Sequence, residues 1–232
     1  GPVQAPPSEL LPYGMPRFQR ERLQEVAPGT VVLLGVPCDE GSTFLRGPAG
    51  APAAIRAQLN SGSANLCTEA GFDLGAQAAF VDLGENRVSE LLERGCRVLS
   101  LGGDHAVTAP LVAAHAQTIP DLEILHFDAH PDLYDEYDGD RYANAWPFAR
   151  IMEAGQARRL VQLGIRTMNP HQRAQAERFG VEVVEMRDFD AARRLRVARE
   201  VPGDSTVTRS SAVADERIGE PWTATLVSPV DW

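Results

Sequence analysis

Cysteine is scarce in this sequence, and its pattern bears on the compartment. The 232 residues include three cysteines, Cys38, Cys67 and Cys96, which are widely spaced and form no Cys-x-x-Cys pair. Such a set is typical of a reducing compartment rather than of a disulfide scaffold. No apolar run reaches the roughly 20 residues that span a bilayer, and the N-terminus lacks the charged-then-apolar pattern of a signal peptide. These absences predict a cytoplasmic protein.

Positive charge is also in short supply. There are 22 Lys and Arg residues against 32 Asp and Glu, which gives a formal net charge of -10. Without a basic stripe to neutralise phosphates, nucleic-acid binding is not expected, and neither is a membrane partner. An acidic protein would suit a small cationic substrate, although an acidic surface more often serves solubility.

The chain divides by pattern into three parts. Residues 1–29 are Pro-rich and predict an extended arm, residues 30–190 alternate strand-like and helix-like runs, and residues 191–232 have little periodicity. Such alternation predicts an α/β domain with three αβα layers, a mainly parallel sheet, and ligand sites at the carboxyl ends of the strands. Strands are predicted at 31–36, 79–83, 97–101, 122–127, 160–165 and 181–186, and helices at 51–60, 88–95, 106–118, 144–155 and 171–180. In the last part, a basic helix at 191–200 and a short strand at 223–227 are the only elements predicted.

Ionisable side chains follow the apolar strand that ends near Phe127. Asp128, His130 and Asp132 alternate along the chain, so they project to one side if the strand continues. Carboxylates with an imidazole suit Mn²⁺ or Zn²⁺, and the predominance of oxygen favours Mn²⁺. Alternatively, three polar residues merely cap a strand in a solvated loop. Three ligand types in this spacing favour a metal site.

Two further histidines accompany this cluster. His126 has the same parity but lies deeper in the strand, and we interpret it as a buried histidine behind the ligands or in the core. His105 ends a Gly-Gly-Asp-His segment one strand–helix unit earlier, where glycines let the backbone turn sharply. Asp104 could simply cap the next helix. Adjacent parallel strands would bring His105 beside Asp128 and Asp132.

Together, GGDH at 102–105 and DAHPD at 128–132 resemble the first two metal motifs of the ureohydrolases, the arginase and agmatinase family. The resemblance extends from residue 30 to residue 190 and is closest to agmatinases and plant-type arginases; the C-terminal third does not match. The flanking segments that share it are 41–48, 51–56, 134–136, 148–153 and 161–166.

The resemblance implies an arginase-like fold and a dinuclear manganese hydrolase acting on linear amidines. His105 and Asp132 would ligate one Mn²⁺, His130 the other, and Asp128 would bridge both. A hydroxide between the ions would attack the guanidinium carbon of agmatine or arginine and release urea and an amine, as in arginine and polyamine metabolism. The resemblance also implies a homo-oligomer, a trimer or a hexamer.

The sequence departs from the family pattern in two motifs. The family's third motif, Ser-x-Asp-x-Asp-x-x-Asp-Pro, is absent, and Asp204, Asp215 and Asp231 are isolated. Two protein ligands would then remain for the second ion, too few for tight binding. Asn144 stands where the family has a proton-shuttling histidine, unless it is an ordinary helix cap. Loss of general acid–base help typically costs about 10²–10⁴-fold in rate.

The altered C-terminal part also bears on the fold. The family's corresponding strands lie at the centre of the sheet, so their absence predicts an incomplete sheet with exposed strand edges. Three hypotheses follow. The chain is a weakly active manganese ureohydrolase, a non-catalytic pseudoenzyme or regulatory or truncated form, or an α/β metalloprotein of unrelated chemistry such as a deacetylase. The paired motifs and their flanks argue against the third.

Overall fold

The computed structural model describes residues 26–77, 80–85, 88–136, 139–189, 206–208 and 223–226. Most of the predicted arm, the helix predicted at 191–200 and the three isolated C-terminal aspartates lie outside this range. The strands within it are β1 (Val31–Val36), β2 (Phe80–Glu85), β3 (Arg97–Gly102), β4 (Glu123–Phe127), β5 (Arg159–Ile165), β6 (Glu182–Glu185), β7 (Thr206–Thr208) and β8 (Thr223–Leu226). The helices are α1 (Ala51–Leu59), α2 (Val88–Glu93), α3 (Thr108–Ala116), α4 (Pro147–Glu153) and α5 (Pro170–Phe179).

The strands form one parallel sheet in the order β2-β1-β3-β8-β7-β4-β5-β6. Along β1, Val32 and Leu34 pack in an apolar cluster with Leu91 of α2. Gly35 has the opposite parity and faces α1, since a Cβ atom there would lie 3.2 Å from Pro52. Helices α2 to α5 contact one another in sequence order. The sheet therefore separates α1 from the other helices, which confirms the three-layer α/β fold.

Local sequence explains where the helices begin and end. Helix α5 starts at Pro170, and the side chain of Asn169 caps it by accepting a hydrogen bond from the backbone N–H of Gln172 (2.9 Å). It ends at Gly180, whose φ of 66° is open mainly to glycine. Helix α4 starts at Pro147, later than the predicted 144, because proline favours the first helical position. No helix in the described ranges is long and apolar enough to cross a bilayer.

The centre of the sheet corrects the sequence analysis. Strand β8 pairs with β3 and with β7, and β7 pairs with β4. The predicted strand at 223–227 is confirmed as β8, whereas β7 was not predicted. The expectation of exposed edges here is therefore wrong, because two short strands fill the gap. The expected adjacency of β3 and β4 is also wrong, since both short strands lie between them.

Candidate metal centre

The turn after β3 places His105 at the carboxyl edge of the sheet. Gly103 packs against the backbone of Cys38, where a Cβ atom would lie 1.9 Å from the Cys38 oxygen. The backbone N–H of Asp104 donates to that oxygen (2.9 Å). The Asp104 carboxylate accepts from the Ala106 N–H (2.9 Å) and from the Ser42 hydroxyl (3.0 Å). Asp104 is thus a capping residue. The hydrogen bonds lower its pKa, but burial has the larger effect and raises it.

His105 is held from two sides. Its Nδ1 lies 3.0 Å from the Thr108 hydroxyl, and its Nε2 lies 3.1 Å from an Asp132 oxygen. Its ring stacks on that of His126 with 5.5 Å between centroids and meets Phe148 edge-on at the same distance. His105 therefore reaches Asp132 across the two central strands, and not by the adjacency of β3 and β4.

The loop after β4 carries the other ionisable groups. Strand β4 ends at Phe127, so the expectation that alternation along a continuing strand aligns the three ligands is wrong. Asp132 instead has a φ of 49°, the only positive value recorded for a non-glycine residue in the described ranges. The backbone N–H of Asp128 donates to Leu163 (3.1 Å), and that of Phe148 donates to the Asp132 carbonyl (3.2 Å). A left-handed residue and backbone hydrogen bonds therefore shape the loop.

Four side chains converge at this point. His105, His126, Asp128 and Asp132 each place a potential ligand atom within 4.8 Å of the others. Asp128 lies 3.5 Å from His126 Nε2 and 3.3 Å from His130 Nδ1, and it accepts from the backbone N–H of His130 (2.8 Å). Burial opposes ionisation of Asp128, but the hydrogen bonds from His126 and His130 outweigh it and hold its pKa well below the usual range. Asp128 is accordingly a carboxylate at neutral pH.

His126 belongs to this cluster although the sequence placed it deeper. It is fully buried, and burial lowers its pKa in spite of the neighbouring Asp128. Its Nδ1 lies 3.2 Å from Nε2 of Gln162, which also donates to the Pro131 carbonyl (2.6 Å). Gln162 was not among the site residues predicted from the sequence. A polar residue inside the apolar run of β5 was the feature that could have revealed it.

His130 and Asn144 border the cleft beside the cluster. The cleft has a volume of about 910 Å³, and its walls include Asp132, Tyr134 and the segment 43–48. His130 lies outside the group of four, and its side chain is 45% exposed. Asn144 is buried, and its backbone N–H donates to Gly41 (3.0 Å). It does not cap α4, whose N-cap is Trp146, so that alternative is wrong.

The donor set fits a divalent cation. Asp132 is buried and faces His105, and the ionised Asp128 faces two histidines. Buried charges in proteins are paired or coordinate metals, and carboxylate with imidazole suits Mn²⁺ and Zn²⁺ alike. The converging donors could therefore hold a divalent metal ion at the carboxyl edge of the sheet, where ligand sites of parallel sheets lie.

Known proteins are similar to this chain in sequence and in fold. The Arginase family profile matches residues 29–208. An arginase of Glycine max is 44% identical over 190 residues, which cover 72% of this chain and 54% of that protein. "Arginase 2, chloroplastic/mitochondrial" of Arabidopsis thaliana is 41% identical over 197 residues, 75% of this chain and 57% of that protein. The chain thus spans about half the length of the curated relatives that it matches.

A solved structure agrees with the sequence match. The arginase from Medicago truncatula superposes with a TM-score of 0.67 at 30% identity, over 87% of this chain and 80% of that chain. Because the family profile covers more than half of the residues, the chain belongs to the arginase family.

Proposed function

We propose that this chain is a metal-dependent ureohydrolase that hydrolyses the guanidino group of arginine and releases urea. The observation that carries the proposal is the convergence of His105, Asp128 and Asp132, since Asp132 also lines an open cleft. A divalent metal pair, when bound, would supply a nucleophile at neutral pH and would stabilise the charge that develops during the attack. Mn²⁺ is the ion that we propose, since the oxygen-rich donor set favours it.

The proposed ligands divide between two ions. His105, Asp128 and Asp132 would hold the first, and Asp128 with His130 would hold the second. Thr108 supports this assignment because its hydroxyl engages Nδ1 of His105 and leaves Nε2 directed at Asp132. Such partners of a ligating histidine fix its orientation.

The cleft would receive the substrate. Its wall at 43–48 faces the proposed ligands Asp132 and His130, and a guanidinium group could approach both from the open side. We propose arginine ahead of agmatine because the relatives that match most of this chain are arginases. The charge of the Asp128 and Asp132 carboxylates would favour a cationic head group.

We expect the activity to be weak. The sequence after β7 continues Arg209-Ser210-Ser211 and has no pair of closely spaced aspartates. The second ion therefore lacks ligands that the family motif would supply, and Asn144 cannot shuttle protons. Replacing Asn144 with His should leave the rate nearly unchanged, since the scarcity of carboxylates is the larger defect.

A urea-release assay on arginine and agmatine, with excess Mn²⁺, tests the proposal. We expect urea from arginine, and its loss in Asp132→Asn. Asp188→Asn is the matched control, because Asp188 is an exposed carboxylate on a turn after β6. If the purified protein is folded and releases no urea from either substrate, the non-catalytic alternative holds instead.

Two broader proposals accompany this function. We propose a homo-oligomer, a trimer or a hexamer by the family resemblance, which light scattering on the purified chain would measure. The predicted cytoplasmic location stays a prediction, and the name of the Arabidopsis thaliana relative assigns that protein to chloroplasts or mitochondria. Localisation of the tagged full-length protein in cells would decide between these compartments.

A further inference from the structure

We infer that Gln162 fixes the tautomer of His126 with the proton on Nε2, which makes His126 a positioning residue that faces Asp128 rather than a metal ligand. The inference rests on the proposed metal site and assigns a positioning role to two residues behind it. His126 and Gln162 are register partners on β4 and β5. Both side chains are buried, with exposed fractions of 1% and 0%.

The orientation of the Gln162 amide follows from its first contact. Nε2 lies 2.6 Å from the carbonyl oxygen of Pro131. A carbonyl oxygen only accepts hydrogen bonds, so the amide must direct its NH₂ group there and not its oxygen. If the amide were flipped, its oxygen would face the Pro131 carbonyl oxygen inside a buried site. The two acceptors would repel each other and neither would be satisfied, which costs free energy.

The tautomer of His126 follows from the second contact. The same NH₂ group lies 3.2 Å from Nδ1 of His126. One amide hydrogen serves Pro131, and the other points to Nδ1, which must therefore accept it. A neutral imidazole has one donor and one acceptor nitrogen. The proton of His126 is consequently on Nε2.

The protonated nitrogen lies near Asp128, the carboxylate proposed to bridge the two ions. Nε2 of His126 lies 3.5 Å from an Asp128 oxygen. With the hydrogen on Nε2 this contact is electrostatically attractive, which favours the present orientation of the Asp128 carboxylate. The lone pair that a metal would need is absent from Nε2, and the one on Nδ1 is engaged by Gln162. His126 is thus excluded as a ligand although it lies within 4.8 Å of the others.

The amide of Gln162 therefore acts on the site at two points. Through Pro131 it holds the loop between His130 and Asp132, and through His126 it orients Asp128. Outer partners of this kind typically contribute about 10–100-fold to metal affinity or activity. A single buried side chain on β5 would thereby preorganise ligands for both proposed ions.

The direct test is nitrogen-15 NMR of the histidine rings in the full, metal-free chain. Long-range proton–nitrogen couplings report which ring nitrogen is protonated, and the His126 signal is identified among five histidines by its loss in His126→Gln. We expect the proton on Nε2 in the wild type. In Gln162→Glu, a carboxylate faces Nδ1 and cannot act as the donor, so we expect a proton on Nδ1. A wild-type proton on Nδ1 would overturn the inference without any variant.

Manganese affinity gives a second readout. We expect Gln162→Met, which keeps the volume and removes both donors, to weaken Mn²⁺ binding about 10–100-fold. Gln175→Met is the matched control, since Gln175 is a buried glutamine on α5. Unchanged Mn²⁺ affinity in a folded Gln162→Met protein would overturn the positioning role. If the wild type binds no Mn²⁺ at all, the proposed function fails, while the tautomer measurement still decides the assignment of His126.

Discussion

Gly103 allows the turn after β3 to place His105 at the site. A Cβ atom there would overlap the backbone oxygen of Cys38 at 1.9 Å, so Gly103→Ala must push the two turns apart. We expect a loss of about 1–3 kcal/mol in the free energy of unfolding, as for other overpacked sites, together with weaker Mn²⁺ binding. Urea denaturation measures the first. Gly50→Ala is the control, because nothing lies within 4 Å of its added carbon; equal effects at both glycines would refute the steric explanation.

His115 on α3 should make stability depend on pH. It is buried, and its Nδ1 lies 2.7 Å from the Leu111 carbonyl. Burial lowers the pKa of His115, and this effect exceeds that of the hydrogen bond, which raises it. The unfolded chain, with a histidine pKa of about 6.5, therefore binds the proton more readily than the folded one. The contribution of His115 to stability is complete above that pKa and declines as the pH falls below it.

Replacement of His115 tests this dependence. We expect His115→Leu to flatten the fall in unfolding free energy between about pH 7 and pH 5, measured by chemical denaturation across that range. His171→Gln is the control, since His171 lies exposed on α5. An identical slope in His115→Leu and the wild type would contradict the account.

At the scale of elements, a buried ion pair joins α1 to β2. Arg56 binds Asp82 through Nε and Nη2 at 2.6 and 2.8 Å, and both side chains are almost fully buried. Gly35 makes room for this pair, because a Cβ atom there would lie 2.5 Å from the guanidinium group. We expect Arg56→Met to cost about 3–5 kcal/mol, because it leaves the Asp82 charge buried and unpaired.

The cost of Arg56→Met can be compared with that at an exposed pair. Arg173 lies 3.0 Å from Glu185, and the Arg173 side chain is half exposed, so Arg173→Met should cost only about 0–1 kcal/mol. Thermal or urea denaturation of both variants measures the difference. We also expect Arg56→Met combined with Asp82→Leu to be more stable than Arg56→Met alone. Similar losses of unfolding free energy in the two single variants would mean that burial does not determine how much each ion pair contributes to stability.

The elements show why some features were predictable. A continuous apolar run indicated β1, and mainly apolar runs indicated β3, β4 and β5. The Asn169-Pro170 start and the Gly180 cap are recognisable bounds of α5. Strand β7 was not predictable, because three residues give no periodicity and its pairing depends on strands distant in sequence. At the site, motif spacing identified His105, Asp128 and Asp132. It could not reveal the left-handed Asp132 or the contacts of Gln162, which only the assembled sheet brings together.

For the whole molecule, the two short central strands join the halves of the sheet. Strands β2, β1 and β3 connect to β4, β5 and β6 only through β8 and β7 in the part of the chain that the structure describes. Val207 pairs with Leu125 on one side and Ala224 on the other. Without these strands, β3 and β4 would each present an open edge.

A proline in β7 tests this connection. Proline removes a backbone donor and is poorly tolerated in a central strand, so we expect Val207→Pro to lower the unfolding free energy by about 3 kcal/mol or more and to promote aggregation. Val207→Thr keeps the backbone donor and the branched β-carbon, and it should cost far less. Denaturation curves and light scattering compare the two. A Val207→Pro protein as stable as Val207→Thr would show that β7 does not hold the halves together.

The most direct test of a metal-dependent hydrolase is a joint measurement of bound Mn²⁺ and released urea on the full chain. We expect about one tightly held Mn²⁺ per chain, since the second ion has too few protein ligands, and urea release from arginine that rises with excess Mn²⁺. Both should disappear in Asp128→Asn, because Asp128 is the carboxylate shared by the proposed ions. Absence of bound Mn²⁺ and of urea in the folded wild type, even with excess Mn²⁺, would contradict the proposed function.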